Sequence, residues 1–283
     1  FLNEKPKLSY LINSGIYVLK KKLLKHVKKN TYLDMNNFLN FLKKKKYRIG
    51  VYTIYEPIHD IGNLKQYNLA KKLADKNDWF YARQFENLAN ADIHEQTTAV
   101  EILNDFKDIG LDYWVSGYGT GGTFSGVSRV LRKHSPETKL IITEPENAQL
   151  INSLLSQERN SDGSPSGSHE AWNPHPIQGW TPDFIPLVLQ ESIDNNYFDQ
   201  NIPVSGDEGI YWSNKLASKE GIMTGISGGS TFAVAMKVAE DAPDGSNILC
   251  MLADTAERYL TSPLFSEIDS EMNDEEKDIL NSI

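Results

Sequence analysis

Residues 113–126 read YWVSGYGTGGTFSG, five glycines in fourteen positions, set between an apolar run and a helix-forming stretch. A strand ending at Gly117 and a helix beginning near Phe124 leave Gly119-Thr120-Gly121-Gly122-Thr123 where the first amides of the helix point outward. Glycine lets the backbone approach a ligand and take positive φ, and unpaired N–H groups at a helix N-terminus favour a phosphate. Thr120 and Thr123 add hydroxyl donors. A glycine-rich turn with no ligand is the plainer reading, but adjacent glycines flanked by threonines exceed what a turn needs. The spacing Gly117-x-Gly119-x-x-Gly122, with Glu144 closing the strand LIITE twenty-two residues later, also fits the fingerprint of an NAD-type dinucleotide. On local pattern alone, the phosphate's owner stays open.

The rest of the chain alternates short apolar strands with helices. After position 68 the pattern predicts helices over NLAKKLADK and TTAVEILNDF, then the strand–glycine loop–helix unit and a strand over LIITEPE. Further on come helices over IPLVLQESI, EGIYWSNKLASKEG and GISGGSTFAVAMKVAED, with strands over IPVSG and NILCMLAD. The Ser/Gly/Pro-rich stretch 156–176 reads as a mobile surface loop or lid, and the acidic end as a solvated helix. This alternation predicts an α/β fold, a mostly parallel sheet flanked by helices, with ligands at the carboxyl ends of the strands.

Charge divides the 283 residues. Residues 1–67 carry 14 Lys and Arg against 4 Asp and Glu, although the whole chain has a net charge of −9. Such a break suggests two units, 1–67 and 68–283. The runs KKKLLKHVKK and KKKKYR resemble a nucleic-acid footprint in composition. However, Leu and Val interleave with the lysines at helical spacing, so a solvated helix face and a loop are expected, with no nucleic-acid partner. No apolar run has the length of a membrane span, and FLNEKPKLSY lacks the order of a signal peptide, so no membrane partner is expected. The missing initiator Met suggests a fragment. The single cysteine, Cys250, reads as strand core, and its isolation suits a reducing cytoplasm.

Several motifs occur together in order: WFYARQFENLANADIHEQTTAVEIL, GYGTGGTFSGVSRVL, EPENAQLINS, QGWTPDFIPLVL, GISGGSTFAVAM and ADTAERYL. Over roughly residues 68–265 this series resembles the cysteine synthase family, pyridoxal 5'-phosphate (PLP) enzymes of the tryptophan synthase β type. The resemblance implies the large domain of PLP fold type II. It places Gly119, Thr120, Gly121, Gly122 and Thr123 around the cofactor phosphate and the Ser227 hydroxyl against the pyridine nitrogen. Gln84 matches the family's amide contact to the substrate carboxylate, and Gly179 the segment that closes over the bound amino acid. Trp180 to Pro182 replace smaller residues common there. Gly228 stands where a second Ser is common, and Ala253 and Ala256 where Pro and Gly are expected. An Ala at such a position would strain a turn that needs positive φ.

The family's Schiff-base lysine and an Asn from a Ser/Gly-rich loop lie well before the glycine loop. Here Lys71, Lys72, Lys107, Lys133, Lys215 and Lys237 all sit in charged or helical contexts without such a motif, so no catalytic lysine is named. Residues 1–67 instead resemble the tail of a sugar-nucleotide pyrophosphorylase, a nucleotidyltransferase. That resemblance implies sugar-phosphate contacts at Glu4-Lys5-Pro6, sugar contacts at Asn13 to Gly15, and a Mg²⁺ ligand in Asp60. The expected chemistry is replacement of the β-substituent of O-acetylserine by sulfide on a small amino-acid substrate. It is weakened in this chain by the missing lysine, and intact relatives are expected to be homodimers. The alternatives are a silent phosphate- or PLP-binding module, or a nucleotide-sugar or NAD binder.

Overall fold

The computed structural model describes residues 19–27, 35–51, 63–259, 262–266 and 272–281. The expectations for Glu4–Pro6, Asn13–Gly15 and Asp60 therefore fall outside the described residues. Two compact units divide the chain, Phe1–His59 and Asp60–Ile283.

In the first unit the lysine-rich stretch forms a 3-10 turn, Lys21–His26, and MNNFLNFL forms helix α1, Met35–Lys44. Phe38 and Leu42, four apart and thus on one face of α1, are both buried. The described lysines of this unit stay at the surface, as expected of a solvated face.

The second unit opens with α2, Leu64–Asn77, capped by the Asn63 side chain, which accepts from the Gln66 amide at 3.0 Å. It starts before the compositional break at 67/68, and its Tyr67 packs edge-on against Phe184. Helices α3 (Ala89–Gln96) and α4 (Thr98–Phe106) follow, then β1 (Tyr113–Gly117), α5 (Gly122–His134) and β2 (Lys139–Pro145). After a long irregular stretch come α6 (Leu187–Asp194), β3 (Gln200–Val204), α7 (Gly206–Lys215), α8 (Ile226–Asp241) and β4 (Ile248–Cys250), with α9 (Asp274–Asn281) at the end.

The sheet is parallel in every pairing, in the order β3-β2-β1-β4. Side-chain alternation splits it cleanly: Trp114, Leu140 and Ile142 pack with Phe124 and Leu131 of α5, while Val115, Ile141 and Val204 pack with Ile226, Val234 and Val238 of α8. Both faces are thus covered, the condition that lets a parallel sheet persist in water. The chain advances from β1 through β2 to β3, then returns to place β4 on the other side of β1. Sheets of this kind bind ligands beyond the carboxyl ends of the strands at which such a reversal occurs, here at the end of β1.

Residues 156–176 do not form a free lid. Arg159 donates to the Ile185 carbonyl at 2.8 Å and the Gln190 side chain at 2.9 Å, and the His169 amide to the Asp183 carbonyl at 2.7 Å. These bonds tie the stretch to the start of α6 and to the QGW segment.

Candidate functional site

The site is built on the end of β1. Gly121 takes φ +87°, a conformation L side chains rarely adopt, and starts α5 without a side-chain cap. Among the described residues, the amides of Gly119, Thr120, Gly121 and Thr123 have no acceptor within the protein; the Gly122 amide reaches only the Thr120 hydroxyl, at 3.4 Å. A buried or half-buried amide without a partner is costly, and a row of them at a helix N-terminus is an anion site.

Three other segments converge on this cup. The QGW segment lies directly over it: a methyl placed on Gly119 would come within 2.2 Å of the Gly179 carbonyl oxygen, and the Thr181 amide donates to the Tyr118 carbonyl at 2.9 Å. Gly179 itself is exposed, with φ +83°. Trp180 lays its indole against Gly117, so close that a methyl there would overlap the ring, and so fills the space beside the strand end. The turn before α3 brings in Gln84, whose carbonyl accepts from Asn90 Nδ2 at 2.8 Å; the same nitrogen donates to Thr120 Oγ1 at 2.8 Å. Finally, Thr123 Oγ1 meets His94 Nε2 at 3.2 Å, and His94 Nδ1 meets Thr98 Oγ1 at 2.9 Å. Burial lowers the pKa of His94, which favours the neutral ring.

Ser227 stands in the first turn of α8, which also begins at the carboxyl edge of the sheet. It is 5% exposed, and among the described residues its hydroxyl has no partner, although its carbonyl accepts from Thr231. Its neighbour Ile226 belongs to the same apolar cluster as Trp180. Gly228, where a second Ser is common, is explained by packing: a methyl there would come within 1.9 Å of Thr224 Oγ1. Neither Ala253 nor Ala256 has positive φ, so the expected strain is absent; Ala256 is buried. Strain does occur at Thr181, with φ +33°. Its carbonyl accepts from Trp172 Nε1 at 3.1 Å and lies 3.0 Å from His175 Nε2, so its neighbours hold the peptide on both sides.

Glu144 is not available for a ribose. It is fully buried, and its carboxylate accepts from Tyr118 Oη at 2.7 Å, the Ile151 and Asn152 amides at 2.9 and 3.2 Å, and Asn201 Nδ2 at 2.6 Å. Burial, and after it the charge of Glu144, holds the Tyr118 phenol well above its usual pKa, so Tyr118 is the donor. The dinucleotide fingerprint thus lacks its acidic partner. Cys250 lies in β4 as expected, and burial pushes its thiol up to about 11, far from a neutral-pH nucleophile. Among the described residues no cluster of His, Cys, Asp or Glu could hold a metal ion, and no helix is long and apolar enough to cross a membrane.

The sequence reading missed Asn90 and His94. They sit four residues apart, on one face of α3, and that spacing within the motif WFYARQFENLANADIH was the available signal.

The donor set suits PLP: amides and hydroxyls for a dianionic phosphate, and a buried, unpartnered neutral hydroxyl for a pyridine nitrogen. The comparisons with known proteins agree. O-ureido-L-serine synthase of Streptomyces lavendulae is 41% identical over 75% of this chain and 58% of its own length. A cysteine synthase of Staphylococcus aureus is 36% identical over 70% of this chain and 57% of its own. Among solved structures, O-ureido-L-serine synthase superposes with a TM-score of 0.66 at 38% identity, covering 79% of this chain and 63% of that one. Cysteine synthase from Entamoeba histolytica superposes with a TM-score of 0.59 at 29% identity, covering 76% and 57%. The chain thus spans about three fifths of the length of these relatives. The match begins at residue 60, so residues 60–67, Asp60 among them, fall within it rather than in the nucleotidyltransferase-like segment expected over 1–67, and the comparisons show no such segment. The profile of the family described as "Pyridoxal-phosphate dependent enzyme" matches residues 60–254, and with the cup, the Ser227 hydroxyl and these relatives it establishes that the chain belongs to that family.

Proposed function

We propose that this chain supplies the cofactor-holding part of a cysteine-synthase-like enzyme, which replaces the β-substituent of an activated serine such as O-acetylserine by sulfide. The observation that carries the reading is the row of amides at Gly119, Thr120, Gly121 and Thr123 that have no partner among the described residues, in a chain of this family. PLP, when bound, supplies an electron sink that acidifies the amino acid's Cα–H and lets the β-substituent leave. The chain's own residues do the rest. The cup holds the phosphate through N–H and O–H donors. The Ser227 hydroxyl would pair with the ring nitrogen, and a neutral partner would leave that nitrogen unprotonated, which suits elimination better than strong carbanion stabilisation. The Gln84 amide donates to the substrate carboxylate, and the Gly179 backbone closes over the amino acid, with Trp180 narrowing the side-chain space.

Moving the α-proton needs a positioned base. No described lysine is buried: Lys72, Lys107 and Lys133 are exposed and Lys71, Lys215 and Lys237 half-exposed, with Lys71 and Lys237 paired to Asp162 and Glu208. We therefore assign no catalytic lysine and expect this chain alone to hold PLP noncovalently, with little or no cysteine synthesis. The intact relatives would act as homodimers on a small amino acid. Borohydride reduction of the PLP-loaded chain tests this: the cofactor should dialyse away after reduction, with PLP-dependent turnover at background. A covalent pyridoxyl adduct together with turnover would overturn the assignment of an impaired chain. The silent-module reading predicts phosphate binding without recognition of O-acetylserine, which titration of the PLP-loaded chain distinguishes. The NAD reading is disfavoured by the fully engaged carboxylate of Glu144.

A further inference from the structure

The two hydrogens of Asn90 Nδ2 are both placed. One goes to the Gln84 carbonyl at 2.8 Å and the other to Thr120 Oγ1 at 2.8 Å. A backbone carbonyl only accepts, so the first contact fixes which end of the amide faces the loop. The nitrogen must then donate to Thr120, and the Thr120 oxygen must accept. That oxygen also lies 3.4 Å from the Gly122 amide, a second donor. A hydroxyl has two lone pairs and one proton. With both lone pairs facing donors, the Thr120 proton has to leave in a third direction, away from α3 and the Gly122 amide.

We propose that Asn90 is a positioning residue for the cup: by donating to Thr120, it commits that hydroxyl to be a donor toward the bound phosphate, and by holding the Gln84 carbonyl it ties the substrate-carboxylate turn to the same loop. The role extends the proposed PLP function and rests on it. A methyl added to Gly122 would come within 2.0 Å of Asn90 Oδ1, so the amide is packed on the cup backbone as well as bonded to the Thr120 side chain. Without Asn90, Thr120 can spend its proton on the Gln84 carbonyl or on water, and the phosphate loses a charge-assisted bond.

The test is the affinity of the 283-residue chain for PLP, for inorganic phosphate and for pyridoxal, which lacks the phosphate, followed by tryptophan fluorescence. Asn90→Ala should weaken PLP and inorganic phosphate about tenfold, one well-formed hydrogen bond, and leave pyridoxal unchanged. In a Thr120→Val background the same substitution should add no further loss, because the hydroxyl it orients is gone. A merely structural Asn90 would weaken pyridoxal equally and add its cost in both backgrounds, and that outcome overturns the proposal. Should Asn90→Ala melt early, Asn90→Ser, which keeps a polar group at the same helix position, runs the same cycle. If the wild-type chain binds neither PLP nor phosphate, the proposed function fails and this role with it. If wild type binds, Thr120→Val loses affinity and Asn90→Ala does not, only the positioning role fails.

Discussion

The ends of β1 and β2 lie side by side in register, Gly117 opposite Thr143, and each is followed by a turn that presents backbone amides. At β2 the chain provides its own anion: Glu144 gathers the Ile151 and Asn152 amides, the Tyr118 hydroxyl and the Asn201 amide. At β1 the amides of Gly119 to Thr123 have no such carboxylate among the described residues. The donors are similar; only the source of negative charge differs. One strand end is therefore satisfied from within the chain, and the other is the one proposed above to take its anion from outside. They are also joined, because Tyr118 sits between Gly117 and Gly119 and hands its hydroxyl to Glu144, anchoring the root of the cup to the finished site.

The largest expected effect comes from breaking the finished end. Glu144→Ala strands four donors, two of them in buried bonds and two in part-buried ones, and should cost about 4 kcal/mol, lowering the melting temperature by roughly 10 °C. It should also weaken PLP binding through Tyr118; a melting curve equal to wild type would mean that the two ends are not coupled as described. Gly121→Ala attacks the open end, forcing a side chain to φ +87° with its methyl 2.6 Å from Leu189 Cβ. A loss of about 2–3 kcal/mol is expected with PLP binding abolished, and retention of affinity would show that the cup does not depend on this turn.

A smaller effect is expected beside the cup. Arg129 bonds Glu191, Asp92 at 3.0 Å and Glu95 at 3.1 Å, joining α5 to α6 and α3, with 16% of its side chain exposed. Arg129→Ala should cost about 1–2 kcal/mol in dilute buffer and less at high salt, read by denaturant unfolding at two ionic strengths. An effect independent of salt would assign its role to packing.

The smallest concerns acid sensitivity remote from both ends. Burial alone would raise the pKa of Asp199, but Arg132, the Leu140 amide and Lys139 outweigh it and leave the carboxyl below its usual value. A depressed carboxylate stabilises the fold above its unfolded pKa, and that contribution disappears as pH falls through the folded pKa. Asp199→Asn should thus be less stable than wild type at pH 6 by under about 1 kcal/mol, with the gap closing below about pH 4. A gap that widens in acid would reverse the sign.

Much of this was legible in the residues. Strand, glycine loop and helix were predicted from YWVSGYGTGGTFSG because glycine placement and apolar periodicity are local properties. Helices α4 to α8 likewise follow patterns within one segment. Glu144 was not legible: its spacing suits a ribose ligand, but its donors come from residues 118, 151, 152 and 201, which only the parallel sheet assembles. Asn90 reaches Thr120 across thirty positions through the packing of α3 on α5. The indole of Trp180 rests on Gly117, a contact between segments far apart in the chain that no local pattern announces.

By itself the chain's order of residues determined where backbone donors would be left unpaired, since glycines and a helix start create them within a few positions. Which of those donors the protein would satisfy internally, and with which carboxylate, was decided by the tertiary structure alone. Hydrogen bonds reach about 3 Å, and only the packed sheet and helices bring residues so far apart in the chain to that distance.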